Sequence, residues 1–248
     1  MSIFSKLTKK KPDKKPSLEC AAVIAAAGSS DRMSGEDKLF IDICGKPVLG
    51  HALSAFQRCE LISEIIVVAR EDRIAQVGEL CGTYGITKAV KVMCGGQTRL
   101  ESVLTGVMAV SGNKRLIAIH DGARPCVEEE TIAGAINAAA KYNAAAPGHR
   151  INSTIKRVVD GTIIETIDRD NIYEIQTPQV FDADIIKAAL TNASNKSIDV
   201  TDDCMAAELL GIKVKVTDGT QSNIKITTNK DVAIAEAILF ARQESGNQ

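Results

Sequence analysis

Cys20-Ala21-Ala22-Val23-Ile24-Ala25-Ala26-Ala27-Gly28-Ser29-Ser30-Asp31-Arg32-Met33 begins as an unbroken apolar run and ends in a small, polar loop carrying an arginine. Such a run, bounded by Gly and Ser, reads as a short strand buried on both faces. Outward from it, β-branched runs alternate with segments of helical spacing. The spacing predicts strands over 20–25, 65–69, 89–93, 116–119, 144–146 and 214–217, with a short one over 223–226. Helices are predicted over 47–59, 74–80, 98 to about 110, 129–141, 185–190 and 202–210, with a last one from about 231. Pro47 suits a first helical turn. Thr98-Arg99-Leu100-Glu101 has the form of a capping box, and Thr201 and Asn229 stand where N-caps are expected. Strand–helix alternation predicts an α/β fold with a doubly wound, mostly parallel sheet. Ligands bind such sheets beyond the carboxyl ends of the strands.

One segment breaks the alternation. Residues 154–159 and 162–166 flank Asp160-Gly161, a turn pair that predicts a β-hairpin. Polar on both faces, it reads as an arm, over about 150–176, that needs a partner, and a second copy of the chain is the expected one. The expectation is therefore a disordered basic tail over 1–17, one domain over 18–242 carrying the arm, and a C-terminal tail over 243–248.

Composition narrows the classes. The chain has 248 residues, 45% of them hydrophobic, which suits one sizeable core. Its formal net charge of -1 gives no signal for nucleic acid. The first 17 residues hold six Lys and one Asp but no apolar run that would make a signal peptide. No apolar stretch is long enough to span a bilayer, so no membrane is expected. Seven scattered Cys without a CxxC argue for reduced thiols in the cytoplasm, and three His lack metal-ligand spacing.

The loop Ala26-Ala27-Gly28-Ser29-Ser30-Asp31-Arg32, followed by Lys38, offers small residues, backbone N–H groups and two cations, a combination suited to phosphate. It is neither a P-loop nor a GxGxxG fingerprint, which disfavours a nicotinamide oxidoreductase. Taken alone, it is better read as a polar turn with solvated charges. His120-Asp121-Gly122-Ala123-Arg124-Pro125, Asp168-Arg169, Thr177-Pro178-Gln179, Thr201-Asp202-Asp203 and Asn223-Ile224-Lys225 follow it in order.

That series, from about Cys20 to Ala241, resembles the 2-C-methyl-D-erythritol 4-phosphate cytidylyltransferase family of the Rossmann-like nucleotidyltransferases. The resemblance implies that Arg32, Lys38 and Lys225 are catalytic cations around the phosphates. It implies that Ala26, Ala27, Gly28, Gly96, Gln97, Ser102, Asp121 and Ala123 hold the CTP. Arg124, Thr154, Arg169, Thr177 and Thr201 would bind the phosphorylated polyol, with Thr154 and Arg169 reaching from the arm into the other subunit. It further implies Mg²⁺, held mainly by the CTP phosphates with Asp121 as the protein ligand, and a homodimer formed through the arm. The family has Gly at the position of Ser30 and Ala at that of Gly122, and many relatives carry Lys38 one residue farther from Arg32. Taken without the resemblance, Asp121 also reads as a helix N-cap, Arg169 as a surface charge, Thr154 as an ordinary strand residue, and Asp202 and Asp203 as first-turn acids. Rival activities are ribitol 5-phosphate cytidylyl transfer, transfer to another sugar phosphate, or a non-catalytic nucleotide-binding regulator on the same fold.

Overall fold

A computed structural model of the chain describes residues 19–28 and 37–246. Strand β1 (Cys20–Ala26) lies at the centre of an eight-stranded sheet. The chain then forms a small ribbon, β2 (Asp42–Ile43) and β3 (Lys46–Pro47), before helix α1 (Val48–Arg58). Strand β4 (Ile62–Ala69) leads through a short 3₁₀ turn to α2 (Ile74–Thr83), then β5 (Ala89–Cys94), α3 (Arg99–Met108) and β6 (Leu116–Asp121). These four long strands pair in parallel in the order β5-β4-β1-β6. The winding reverses at β1, because α3 crosses to the opposite face and feeds β6 on its far side.

Period-two alternation in β1 sends Cys20, Ala22, Ile24 and Ala26 into one core and Ala21 and Val23 into the other. The first core is closed by α1, α2, α4 (Glu129–Tyr142) and α7 (Asn229–Gly246). The second is closed by α3, α5 (Ala183–Asn195) and α6 (Asp203–Glu208). Helix α3 comes close to the sheet because Gly106 leaves room for Val23 and Val68.

Beyond β6 the sheet turns antiparallel. Strand β7 (Ala144–Arg150) pairs with β10 (Tyr173–Ile175) and β11 (Gln179–Asp182), and β11 in turn lies antiparallel to β6. Strand β12 (Lys215–Asp218) adds in parallel to β7. The predicted hairpin forms as β8 (Ile155–Val159) and β9 (Thr162–Ile167). Asp160 and Gly161 both take positive φ, 48° and 77°, as a two-residue hairpin turn of this hand requires.

Several local expectations are corrected. Pro47 is the N-cap of α1 and not its first-turn residue. Asp202, not Thr201, caps α6, its carboxylate accepting from Met205 N at 2.9 Å. Asn229 is already helical, and the Asp231 carboxylate accepts from the Thr227 and Thr228 N–H groups in front of it. Residues 223–226 form no strand; Ile226 N makes one ladder-like bond, to Ala123 O at 2.8 Å. Helix α7 runs on to Gly246, through most of the expected C-terminal tail. The basic segment 1–17 lies outside the described residues.

Candidate active site

The reversal of the winding at β1 opens a cleft of about 570 Å³ at the carboxyl ends of β1, β5 and β6. Its floor is the end of β1, where Ala26, Ala27 and Gly28 present only small side chains. One wall is the start of α3. The capping box is complete there: Thr98 Oγ1 accepts from Glu101 N, and the Glu101 carboxylate accepts from Gln97 N at 2.7 Å and Thr98 N at 3.2 Å. Ser102 Oγ accepts from Gly96 N at 3.1 Å and donates to Thr98 O at 2.9 Å. This tight wall explains both glycines. A Cβ on Gly95 would sit 2.5 Å from Ala27 Cβ, and one on Gly96 would sit 2.4 Å from Glu101 Cβ.

The other wall is charged. Asp121, the last residue of β6, accepts from Lys225 Nζ at 2.7 Å and from Arg99 Nη2 at 3.4 Å. Arg99 in turn grips Asp203 with both terminal nitrogens, at 3.0 and 2.8 Å. Burial opposes the Asp121 carboxylate, but Arg99, Lys225 and Arg124 outweigh it and hold its pKa well below the usual range. Burial pushes Asp203 up, against the pull of Arg99. Burial also disfavours the Arg99 charge, yet Asp203 and Asp121 outweigh it and keep the guanidinium firmly protonated.

Behind Asp121 lies a buried polar layer. Thr177 Oγ1 accepts from Asp121 N at 3.2 Å and meets His120 Nδ1 at 2.9 Å. Nε2 faces Arg124 O at 3.4 Å, a group that can only accept, which favours the tautomer with its proton on Nε2 and Nδ1 accepting from the Thr177 hydroxyl. Burial lowers the His120 pKa to about 4, so the ring is neutral at pH 7. Arg124 donates from Nη1 to Asn223 O at 2.6 Å, while its Nε has no partner among the described residues.

The cleft thus gathers Ala26, Ala27, Gly28, Lys38, Gly96, Gln97, Ser102, Asp121, Ala123 and Lys225 from the residues singled out in the sequence. Arg124 and Thr177 lie buried beside Asp121. Thr154 and Arg169 are exposed at the base of the hairpin, Arg169 donating to Asn152 O, and neither lines this chain's own cleft. Thr201 is exposed and turns its N–H and hydroxyl to the Met205 sulfur. Arg32 and Ser30 lie outside the described residues.

Arg99 and Asp203 carry no site role in the sequence reading. Arg99 is hidden inside a capping motif, and Asp203 reads as a first-turn acid. The usable signal is that Asp203 shares the buried face of α6 with Ala206 and Ala207, three and four residues on.

Among the described residues no three metal-ligating side chains gather. Of the two carboxylates that line the cleft, Glu71 and Asp121, Asp121 at the end of β6 fits the mode in which Mg²⁺ rides chiefly on substrate phosphates.

A family model described as IspD, 2-C-methyl-D-erythritol 4-phosphate cytidylyltransferase, matches residues 20–241. The chain is 41% identical to the 2-C-methyl-D-erythritol 4-phosphate cytidylyltransferase of Halalkalibacterium halodurans, over 91% of this chain and 99% of that protein. It is also 41% identical to the enzyme of that name from Clostridium acetobutylicum, over 90% and 97%. The crystal structure of 4-diphosphocytidyl-2C-methyl-D-erythritol synthase from Anaerococcus prevotii superposes with a TM-score of 0.79 at 34% identity, covering 89% of this chain and 95% of that one. With the expected doubly wound sheet and the strand-end cleft both in place, the chain belongs to the 2-C-methyl-D-erythritol 4-phosphate cytidylyltransferase family.

Proposed function

We propose that this protein transfers a cytidylyl group from CTP to 2-C-methyl-D-erythritol 4-phosphate and releases pyrophosphate, in isoprenoid precursor synthesis in the cytoplasm. The observation that carries the chemistry is the placing of Lys38 and Lys225 in one cleft with Asp121, at the point where the sheet's winding reverses. An acceptor phosphate is already anionic at neutral pH and needs no base to attack. Its difficulty is meeting a second anion, so the work of the site is charge neutralisation and alignment. Lys38 and Lys225, with Arg32, supply the cations as charge builds on the α-phosphate and the departing pyrophosphate. Bound Mg²⁺, on the triphosphate and Asp121, would add Lewis-acid neutralisation of the same charge. The small floor Ala26–Gly28 suits a backbone-hugging triphosphate, and the wall Gly96–Ser102 suits the base and ribose. The unpartnered Nε of buried Arg124 supports its role toward the polyol phosphate.

The arm supports a homodimer. Val158, Val159, Ile163 and Ile164 stand exposed on the hairpin, at 49–61% of their full surface, where a second copy would cover them. Thr154 and Arg169 at the hairpin's base would then serve the neighbouring cleft.

Pyrophosphate release tests the reading, with CTP, Mg²⁺ and either 2-C-methyl-D-erythritol 4-phosphate or ribitol 5-phosphate, and ATP, GTP and UTP as controls. Turnover is expected only with CTP and the methylerythritol acceptor. Lys38→Ala and Lys225→Ala are each expected to lower kcat by about 10²–10³-fold, the range seen when one charge-stabilising group is lost. Turnover with ribitol 5-phosphate instead would move the protein to a different acceptor, and no turnover from folded, CTP-binding protein would favour the regulator.

A further inference from the structure

Lys225 donates to Asp121 at 2.7 Å, and among the described residues this is its one side-chain partner. The position of its ammonium therefore depends on where the Asp121 carboxylate points. That carboxylate has a second neighbour. Arg99, the first residue of α3, reaches its other oxygen at 3.4 Å while holding Asp203 in a two-pronged grip. The planar guanidinium makes this possible, because it can address two carboxylates in fixed directions at once.

Asp203 is the fixed end of the chain of contacts, with only 1% of its side chain exposed against 30% for Arg99. Its backbone N–H and that of Cys204 both donate to Gln179 Oε1, at 3.0 and 2.9 Å. Gln179 Nε2 donates to Asp202 at 2.8 Å, so the start of α6 is clamped to β11. Two residues before Gln179, the Thr177 hydroxyl holds the Asp121 backbone N–H. Asp121 is thus held through its backbone by one residue of this segment. Its side chain is held, through Arg99 and Asp203, by the helix that the same segment anchors.

We propose that Arg99 is a positioning residue for the transfer: braced by buried Asp203, it fixes the Asp121 carboxylate and so sets the Lys225 ammonium in the cleft. This rests on the cytidylyl-transfer reading for its kinetic consequence, but the geometric claim stands on the contacts alone. Arg99 also lines the cleft, so the alternatives are direct substrate binding and simple support of the fold. The three roles differ in what they change. Direct binding raises KM for CTP when Arg99 is lost. Fold support lowers the melting temperature without selectivity. Positioning lowers kcat, leaves KM nearly unchanged, and makes Arg99 and Lys225 non-additive, because both losses remove the same placed charge.

The test uses the full-length chain with Arg99→Gln, Arg99→Lys, Asp203→Asn, Lys225→Ala and the Arg99→Gln/Lys225→Ala double variant. Arg99→Gln is expected to lower kcat by about 30–100-fold, as loss of an alignment contact does. Arg99→Lys, which keeps charge but not the fork, is expected to fall by only about tenfold. The double variant should fall little beyond Lys225→Ala. A second readout needs no turnover: labelling of the Lys225 amine by an amine-reactive reagent, followed by peptide mass spectrometry. It is expected to be about threefold or more faster in Arg99→Gln and Asp203→Asn, as the ammonium leaves its carboxylate. Arg99→Lys keeps the test open if either of those variants does not fold. Unchanged kcat with unchanged labelling in folded variants, a rise confined to KM for CTP, or full additivity with Lys225→Ala would each overturn the proposal. If the wild-type protein shows no cytidylyl transfer, the functional reading fails on that result, and the labelling rates still decide the role of Arg99.

Discussion

His120 lies fully buried between Phe56, whose ring centroid is 4.9 Å away, and the Thr177 hydroxyl. Burial lowers its pKa to about 4, with Arg124 adding to the effect and Asp121 opposing it. In the unfolded chain the ring takes up a proton near pH 6.5; in the folded protein it resists until about pH 4. The stability contributed by the neutral ring is therefore complete above about pH 6.5 and is lost as the pH falls from there toward 4. The loss is on the order of 3 kcal/mol at most. Urea midpoints measured across this range should fall more steeply for the wild-type protein than for His120→Gln; parallel profiles would contradict a buried neutral imidazole. Other residues show how far single positions could be read in advance. Asp121 was legible because a carboxylate ends a central strand. Asp203 was not, because a first-turn acid and a buried anchor look alike until the partner Arg99, 104 positions away, is placed. Gly122, where the resembled family carries Ala, has a physical account only in three dimensions. A Cβ there would come 2.9 Å from Leu49 Cδ1 and 3.2 Å from Ala25 O, so Leu49 occupies the space of the missing methyl.

Helix α3 illustrates what one element can hold. Its first turn builds a wall of the cleft, while two turns on Gly106 lets it lie close to β1 and β4. A Cβ at Gly106 would stand 2.5 Å from Val23 Cγ1 and 2.7 Å from Val68 Cγ2. Gly106→Ala is therefore expected to destabilise the protein by about 1–3 kcal/mol through overpacking, despite the higher helix propensity of Ala. Thermal denaturation checks this, and a variant melting with the wild type would show that α3 can retreat without strain. Elements with strong local signals were legible: the capping box of α3, the Asp-Gly hairpin turn, and the parallel strands β1, β4 and β6 with their apolar runs. Elements defined by their neighbours were not. Strands β10 and β11 have only three and four residues, and both owe their pairing to β7 and β6 rather than to a pattern of their own. The opposite error occurs at 223–226, where an apolar extended stretch beside the loop after β6 finds no strand to pair with.

The whole molecule combines a two-faced α/β body with a hairpin whose four large aliphatic residues stand exposed among the described residues. If a second copy covers them, Ile163→Lys places a charge in a dry interface and is expected to shift the protein from dimer to monomer in sedimentation-velocity runs. A wild-type protein that sediments as a monomer at micromolar concentration would refute the arm's proposed role. Activity should fall with dimer content, since Thr154 and Arg169 would no longer reach a neighbouring cleft. The pairing of Asp121 with Lys225 across 104 positions has one more consequence. A ribosome delivers Arg99 and Asp121 first, Asp203 much later, and Lys225 after all three. The parallel half of the sheet can form early, yet a product that stops before residue 225 lacks the ammonium that pairs with Asp121. Such a product would leave the Asp121 carboxylate without its 2.7 Å partner.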